Sequence, residues 1–152
     1  MFYERKQYSF FNEKIVFFNL FKLNTFIMKQ FNLEDRLVDF AVQIINIIEA
    51  LPKNPVCKHL GTNQLLRSGT SPALNYGEAQ AAESRADFIH KVKIVLKELR
   101  ESFICLKILN RKQYLSQDIL NPILKENNEL ISIFVKSYKT AKENLEKEKR
   151  KK

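Results

Sequence analysis

Three glycines and four prolines are all this chain of 152 residues contains. Glycine alone usually makes up ~7% of a globular protein. A sandwich or barrel that turns every few residues needs more of both, so all-β architectures are excluded and a few long elements are expected. Tryptophan is absent. Two cysteines, Cys57 and Cys105, are too few for a disulfide framework, and two histidines, His59 and His90, are too few for a four-ligand metal site. The cysteines read as small packing residues of a reducing compartment, which makes a cytoplasmic protein the expectation. The nearest approach to a di-iron motif is Asp87-x-x-His90, while His59 has Val56 at the equivalent position. Arg67-Ser68-Gly69-Thr70-Ser71 superficially resembles a phosphate-cradling loop, but no strand precedes it. Neither cysteine has a setting of base and orienting group that the sequence can show. No enzyme, no metal and no cofactor are expected.

What the chain does have is a net charge of +9 and twelve phenylalanines, both unevenly spread. Residues 1–27 hold nine of the seventeen aromatics, with four basic and two acidic side chains. They show no steady period and no helix cap. Glu4 and Glu13 interrupt the apolar run, and no cleavage site follows, so neither a signal peptide nor a membrane span fits. Met28-Lys29-Gln30-Phe31-Asn32-Leu33-Glu34-Asp35 reads like an ordinary protein start. Residues 1–27 are therefore expected to be an extension upstream of a start at Met28, the alternative being a membrane-surface or partner-docking arm. A bundle domain is expected over 28–144, followed by a basic tail over 145–152 whose Lys-Glu-Lys-Arg-Lys-Lys end reads as a frayed, solvated helix terminus. With six basic and three acidic residues in 142–152, a charge of +4 remains for the bundle itself.

Between these ends the spacing predicts four helices. Asn32 can cap the first, and Leu33, Leu37, Phe40, Ile44, Ile47 and Leu51 form its seam until Pro52 stops it. The second runs from Pro55 toward Ala82 and contains all three glycines, Gly61, Gly69 and Gly77. Each costs ~1 kcal/mol relative to alanine in a helix, so close approach of a neighbouring helix is the expected reason. Pro72 is expected to bend or break this helix. Ser84 caps the third, with Asp87 in its first turn and a seam of Ile89, Val92, Leu96, Leu99, Phe103 and Leu106. The fourth starts near Asp118, with a seam of Leu124, Asn127, Ile131, Phe134, Tyr138, Ala141 and Leu145, in which Asn127 is placed to fix register. Short connections make an all-α, up-and-down antiparallel four-helix bundle the natural assembly.

Two features of the third helix point outward. Lys93, Lys97, Arg100, Lys107 and Arg111 fall in a narrow stripe beside the seam, a pattern that suits phosphate backbones and makes RNA binding a hypothesis. The bland alternative is a solvated lysine-rich face, partly neutralised by Glu98 and Glu101. Ile94, Ile104, Cys105 and Ile108 lie away from the seam and suggest a subunit interface, at which Glu98 and Glu101 could pair with a neighbour's cations.

Residues 64–101 contain Gln-Leu-Leu-Arg-Ser-Gly-Thr-Ser-Pro-Ala-Leu-Asn-Tyr-Gly-Glu-Ala and then Glu-Ser-Arg-Ala-Asp-Phe-Ile-His-Lys-Val-Lys-Ile-Val-Leu-Lys-Glu-Leu-Arg-Glu. This run resembles the bacterial four helix bundle protein family, also called the 23S rRNA intervening-sequence proteins, over about residues 33–144. The resemblance implies an up-and-down bundle that assembles as a homo-oligomeric ring, commonly a pentamer. It also implies kinship with the accessory variability protein of diversity-generating retroelements, a basic pentamer that binds RNA and a reverse transcriptase. The polar positions matching the motif are Arg67, Ser68, Thr70, Asn75, Glu78, Ser84, Asp87, Lys91, Lys97, Glu98 and Glu101. Asn75 and Glu78, one turn apart, are expected to tie the second helix to the third through Lys97 or a backbone group. Pro72, Leu74 and the pair Ile104-Cys105 depart from the family pattern. The expected function is a non-enzymatic homo-oligomer that binds RNA, or an RNA–protein partner, through basic outer faces. The alternatives are a purely structural protein-interaction scaffold and a reverse-transcriptase accessory protein.

Overall fold

The computed structural model describes residues 32–151, and the expectations for residues 1–27 and Met28 lie outside them. Contacts divide the chain into Met1–Arg36 and Leu37–Lys152. The described residues form four helices and no strand. Helix α1 is Leu33–Ala50. Its cap is Asn32, whose Oδ1 accepts the Glu34 N–H at 3.1 Å. The acidic pair Glu34 and Asp35 sits in the first turn, where the helix dipole favours negative charge. Leu37, Phe40, Ile44 and Ile47 are buried at its core face, as their spacing requires. Each such side chain contributes about 1.5–3 kcal/mol when fully removed from water.

Helix α2 is built from Pro55–Lys58, His59–Leu65 and Leu66–Gln80, which run on from one another. Asn54 caps it by accepting the Cys57 N–H at 2.8 Å, with Pro55 in the first turn. Residues His59–Leu65 are π-helical, and the Leu66 N–H reaches back to the Gly61 carbonyl. The buried residues Cys57, Gly61, Leu65 and Gly69 recur every four positions. That spacing drifts by ~40° per step around a regular α-helix, and a stretch of wider turns absorbs the drift. Pro72 neither breaks nor ends α2: it is buried within it. The Thr70 hydroxyl donates to Leu66 O at 2.8 Å and Asn75 Nδ2 to Ser71 O at 3.0 Å, so side chains add donors to the turns on either side of the proline.

Helix α3 is Arg85–Arg111, capped by Ser84 Oγ, which accepts the Asp87 N–H at 3.1 Å. Helix α4 is Gln117–Arg150. It continues through the basic run expected to fray, and Arg85 of α3 pairs with Glu148 at 2.7 Å.

Contacts run in opposite directions along each neighbouring pair. Gly61 faces Ile48 and Leu51, while Gly69 faces Ile44. Arg67, Ser68 and Glu78 of α2 meet Glu98, Ser102 and Lys91 of α3 in turn. In α4, Asn127 reaches Leu99 and Phe103, and Glu148 reaches Arg85. The pairs α1–α2, α2–α3 and α3–α4 are thus antiparallel, and the Tyr76 and Phe134 rings meet edge to face at 5.5 Å to join α2 to α4. The result is a bundle-like packing of the four helices.

Two seams are wider or rotated relative to expectation. Helix α3 buries Val95, Glu98, Ser102, Cys105 and Leu109 beside Val92, Leu96, Leu99 and Leu106, because it packs against α2 on one side and α4 on the other. In α4 the buried line is Leu120, Ile123, Asn127, Leu130, Phe134 and Ala141, leaving Leu124, Ile131, Tyr138 and Leu145 half-buried. Asn127 is fully buried, as placed. With its amide oriented to satisfy both contacts, Nδ2 donates to Leu99 O at 3.0 Å and Oδ1 accepts the Phe103 N–H at 3.2 Å.

Candidate nucleic-acid interface

The broad buried face of α3 leaves one strip of that helix to solvent, and all five cations of the predicted stripe lie exposed on it. Their companions divide them into two groups. Lys93, Lys97 and Arg100 line a groove of about 690 Å³ with His90, Ile94 and Leu96 of α3 and with Val135, Tyr138 and Lys139 of α4. Lys107 and Arg111 lie further along, and the Lys107 ammonium sits 5.5 Å from the centre of the Phe103 ring. The groove therefore gathers four cations around an apolar floor. The nearest acid to any of them is Glu98, whose Oε1 is 3.9 Å from Lys97 Nζ. Lys93, Arg100 and Lys139 have no ion-pair partner among the described residues.

The motif residues form a second, closed cluster on the α2–α3 seam. Arg67 bridges Glu98 at 2.9 Å and also binds Glu101. The Glu101 hydrogen bond, with the charges of Glu98 and Glu101, holds the guanidinium above its ordinary pKa. Below this pair, Ser68 Oγ and Ser102 Oγ lie 3.0 Å apart, with Ser102 Oγ 3.0 Å from Glu98 O. Both hydroxyls are satisfied when Ser102 donates to the carbonyl and Ser68 to Ser102. Nearer the far end of α2, Glu78 binds Lys91, whose pKa is raised mainly by that hydrogen bond.

These contacts correct three expectations. Glu98 and Glu101 satisfy Arg67 of their own chain instead of waiting for a neighbour. Glu78 does tie α2 to α3, but through Lys91, while Asn75 turns back on Ser71 of its own helix. Cys105, expected on the outer apolar patch, is buried within the chain. Burial and the Glu101 charge raise its thiol pKa, with Arg67 opposing. Of its three companions, Ile94 lines the groove, and Ile104 and Ile108 remain 54% and 43% exposed.

The described residues contain no group of three or more histidines, cysteines or carboxylates positioned to hold a metal, and no helix among them is long and apolar enough to cross a membrane. The three α3 cations of the groove were legible in the sequence, whereas His90, Tyr138 and Lys139 were missed as members. Their signal lay in pairing α4 against α3: once Asn127 stands opposite Leu99 and Phe103, antiparallel packing brings 135–139 opposite 90–97.

The sequence profile of the 23S rRNA-intervening sequence proteins matches residues 29–136. The chain belongs to the 23S rRNA-intervening sequence protein family. A crystal structure of a protein of unknown function from the S23 ribosomal protein family of Bacteroides thetaiotaomicron VPI-5482 matches it with a TM-score of 0.63 at 34% sequence identity, covering 70% of this chain and 98% of that one. No curated protein matches. The family match spans both halves of the groove except Tyr138 and Lys139, and it contains the whole Arg67–Glu98–Glu101 cluster.

Proposed function

We propose that this 23S rRNA-intervening sequence protein is a non-enzymatic, self-associating bundle that binds RNA through the α3–α4 groove. The observation that carries the reading is the gathering of Lys93, Lys97, Arg100 and Lys139 at one opening with a single acid, Glu98, 3.9 Å from one of them. Cations on neighbouring helical turns, about 6 Å apart along the axis, suit a chain of phosphates. The family's name associates it with ribosomal RNA. In the other polar cluster every cation is engaged, Arg67 by Glu98 and Glu101 and Lys91 by Glu78, which favours a structural role.

Fluorescence anisotropy of labelled RNA against salt tests the reading. Four neutralised phosphates give a slope of log K against log salt of about −3 for a single strand. Lys93→Glu with Lys97→Glu is expected to weaken binding more than ten-fold and to flatten that slope. Salt-insensitive or absent binding overturns the proposal. It would then favour a protein-interaction scaffold, for which the exposed pair Ile104 and Ile108 is the supporting observation. An RNA–protein complex, such as a reverse transcriptase on its template, presents the same phosphate chemistry to the groove.

A further inference from the structure

Resting on that reading, we infer that the groove selects unpaired RNA, seating a base on Tyr138 while the surrounding cations hold the adjoining phosphates. Phosphate contact by itself asks only for accessible cations and makes no use of apolar surface between them. Here the cations stand at the rim of a cavity whose floor is Ile94, Leu96, Val135 and Tyr138. About 690 Å³ lies within the range of small-molecule sites, ample for one planar base. Tyr138 is half-buried, and its hydroxyl has no hydrogen-bond partner among the described residues. It faces the same opening as the His90 imidazole, so two aromatic rings and the Arg100 guanidinium plane share one site.

Duplex RNA cannot use such a floor. Its bases are stacked and paired, and its deep major groove admits no side chains, so a duplex would meet the rim cations only. An unpaired strand can turn a base out of its stack onto an aromatic side chain, an interaction indifferent to base identity because every base has a π-face. Apolar floor and basic rim are thus both used by a single strand. The groove is therefore a stacking platform within an electrostatic funnel, with little sequence preference.

The test uses the full chain and two fluorescein-labelled probes, a twelve-nucleotide oligouridylate and the same strand annealed to oligoadenylate. The expected result is single-strand binding at least ten-fold tighter than duplex binding at equal salt. Tyr138→Ala should lower single-strand affinity about ten-fold and leave duplex affinity unchanged, whereas Tyr138→Phe, which keeps the ring, should bind like the unmodified chain. Equal affinity for the two probes, with Tyr138→Ala indifferent, overturns the base-seating inference and leaves a phosphate-binding protein. Absence of binding by both probes removes the RNA reading beneath it, so the two failures are distinct. Should Tyr138→Ala lose its helical circular dichroism, the probe ratio of the unmodified chain decides alone.

Discussion

Gly69 of α2 packs directly against Ile44 of α1. A β-carbon there would lie 2.7 Å from both Cγ1 and Cγ2 of Ile44, a fully buried side chain with no room to withdraw. Gly77, eight residues on, has nothing within 4 Å of the same position. The two glycines cost the helix alike, ~1 kcal/mol each relative to alanine, but only the first gains packing in return. Gly69→Ala is therefore expected to destabilise: overpacking costs about 1–3 kcal/mol, and the helical gain offsets only part of it. Gly77→Ala is expected to stabilise by about 0.5–1 kcal/mol. Urea denaturation of both variants measures the contrast. A gain in both would mean that Ile44 yields easily, and a loss in both that Gly77 meets a surface outside its own chain. Gly61 is intermediate between the two, since its β-carbon would clash only with the terminal Cδ1 of Leu51, at 2.9 Å, which a rotation of that side chain can relieve.

Each helix was legible in proportion to how simply it packs. The seam of α1 came through from Leu37 to Leu51, with Leu33 only half-buried, because its buried residues form one regular stripe. In α2 no such stripe could be drawn: beside Leu65 its core face is made of Cys57, Gly61, Ser68, Gly69, Pro72 and Ala79, and the π-helical stretch breaks the period. In α3 the neighbours on two sides bury Ser102 and Glu98, residue types a hydrophobic pattern counts as solvent-facing. The polar exception in α4 was readable, because an asparagine within an apolar line needs partners there. Asn127 finds them in the α3 backbone, spanning the Leu99 carbonyl and the Phe103 N–H. Those two bonds set the register that brings Tyr138 and Lys139 to the groove. Asn127→Asp places a carboxylate at a fully buried site beside a carbonyl oxygen it cannot donate to, at a cost of about 2–3 kcal/mol at pH 7. Burial raises the folded-state pKa of that carboxyl above its unfolded value near 3.9. The penalty is thus present above the folded pKa and fades as pH falls through it, when the protonated acid can donate to Leu99 O. Thermal melts of Asn127→Asp at pH 7 and pH 5 are expected to differ less from the parent at the lower pH. An equal deficit at both would show that the site stays wet.

Charge and apolar surface divide the outer face of α3 into two regions. Its N-terminal half, with Lys93, Lys97 and Arg100, shares the groove with α4, while Ile104 and Ile108 stand exposed one turn apart, next to Lys107 and Arg111. If copies of the chain join through the second region, several grooves are presented together, and a long RNA can occupy more than one. Such linkage raises apparent affinity by 10²–10⁴-fold without any new contact, provided the strand spans the sites. Ile104→Asp with Ile108→Asp puts carboxylates into the apolar patch and leaves every groove residue in place. Multi-angle light scattering is expected to show the parent as an oligomer and the double variant as a monomer of 17.9 kDa with unchanged helicity. Affinity for a strand just long enough to contact one groove should hold, while affinity for a strand long enough to reach a second should fall more than ten-fold. A parent that scatters as a monomer removes the linkage. A variant that loses short-strand affinity as well would place the two isoleucines in the RNA site itself.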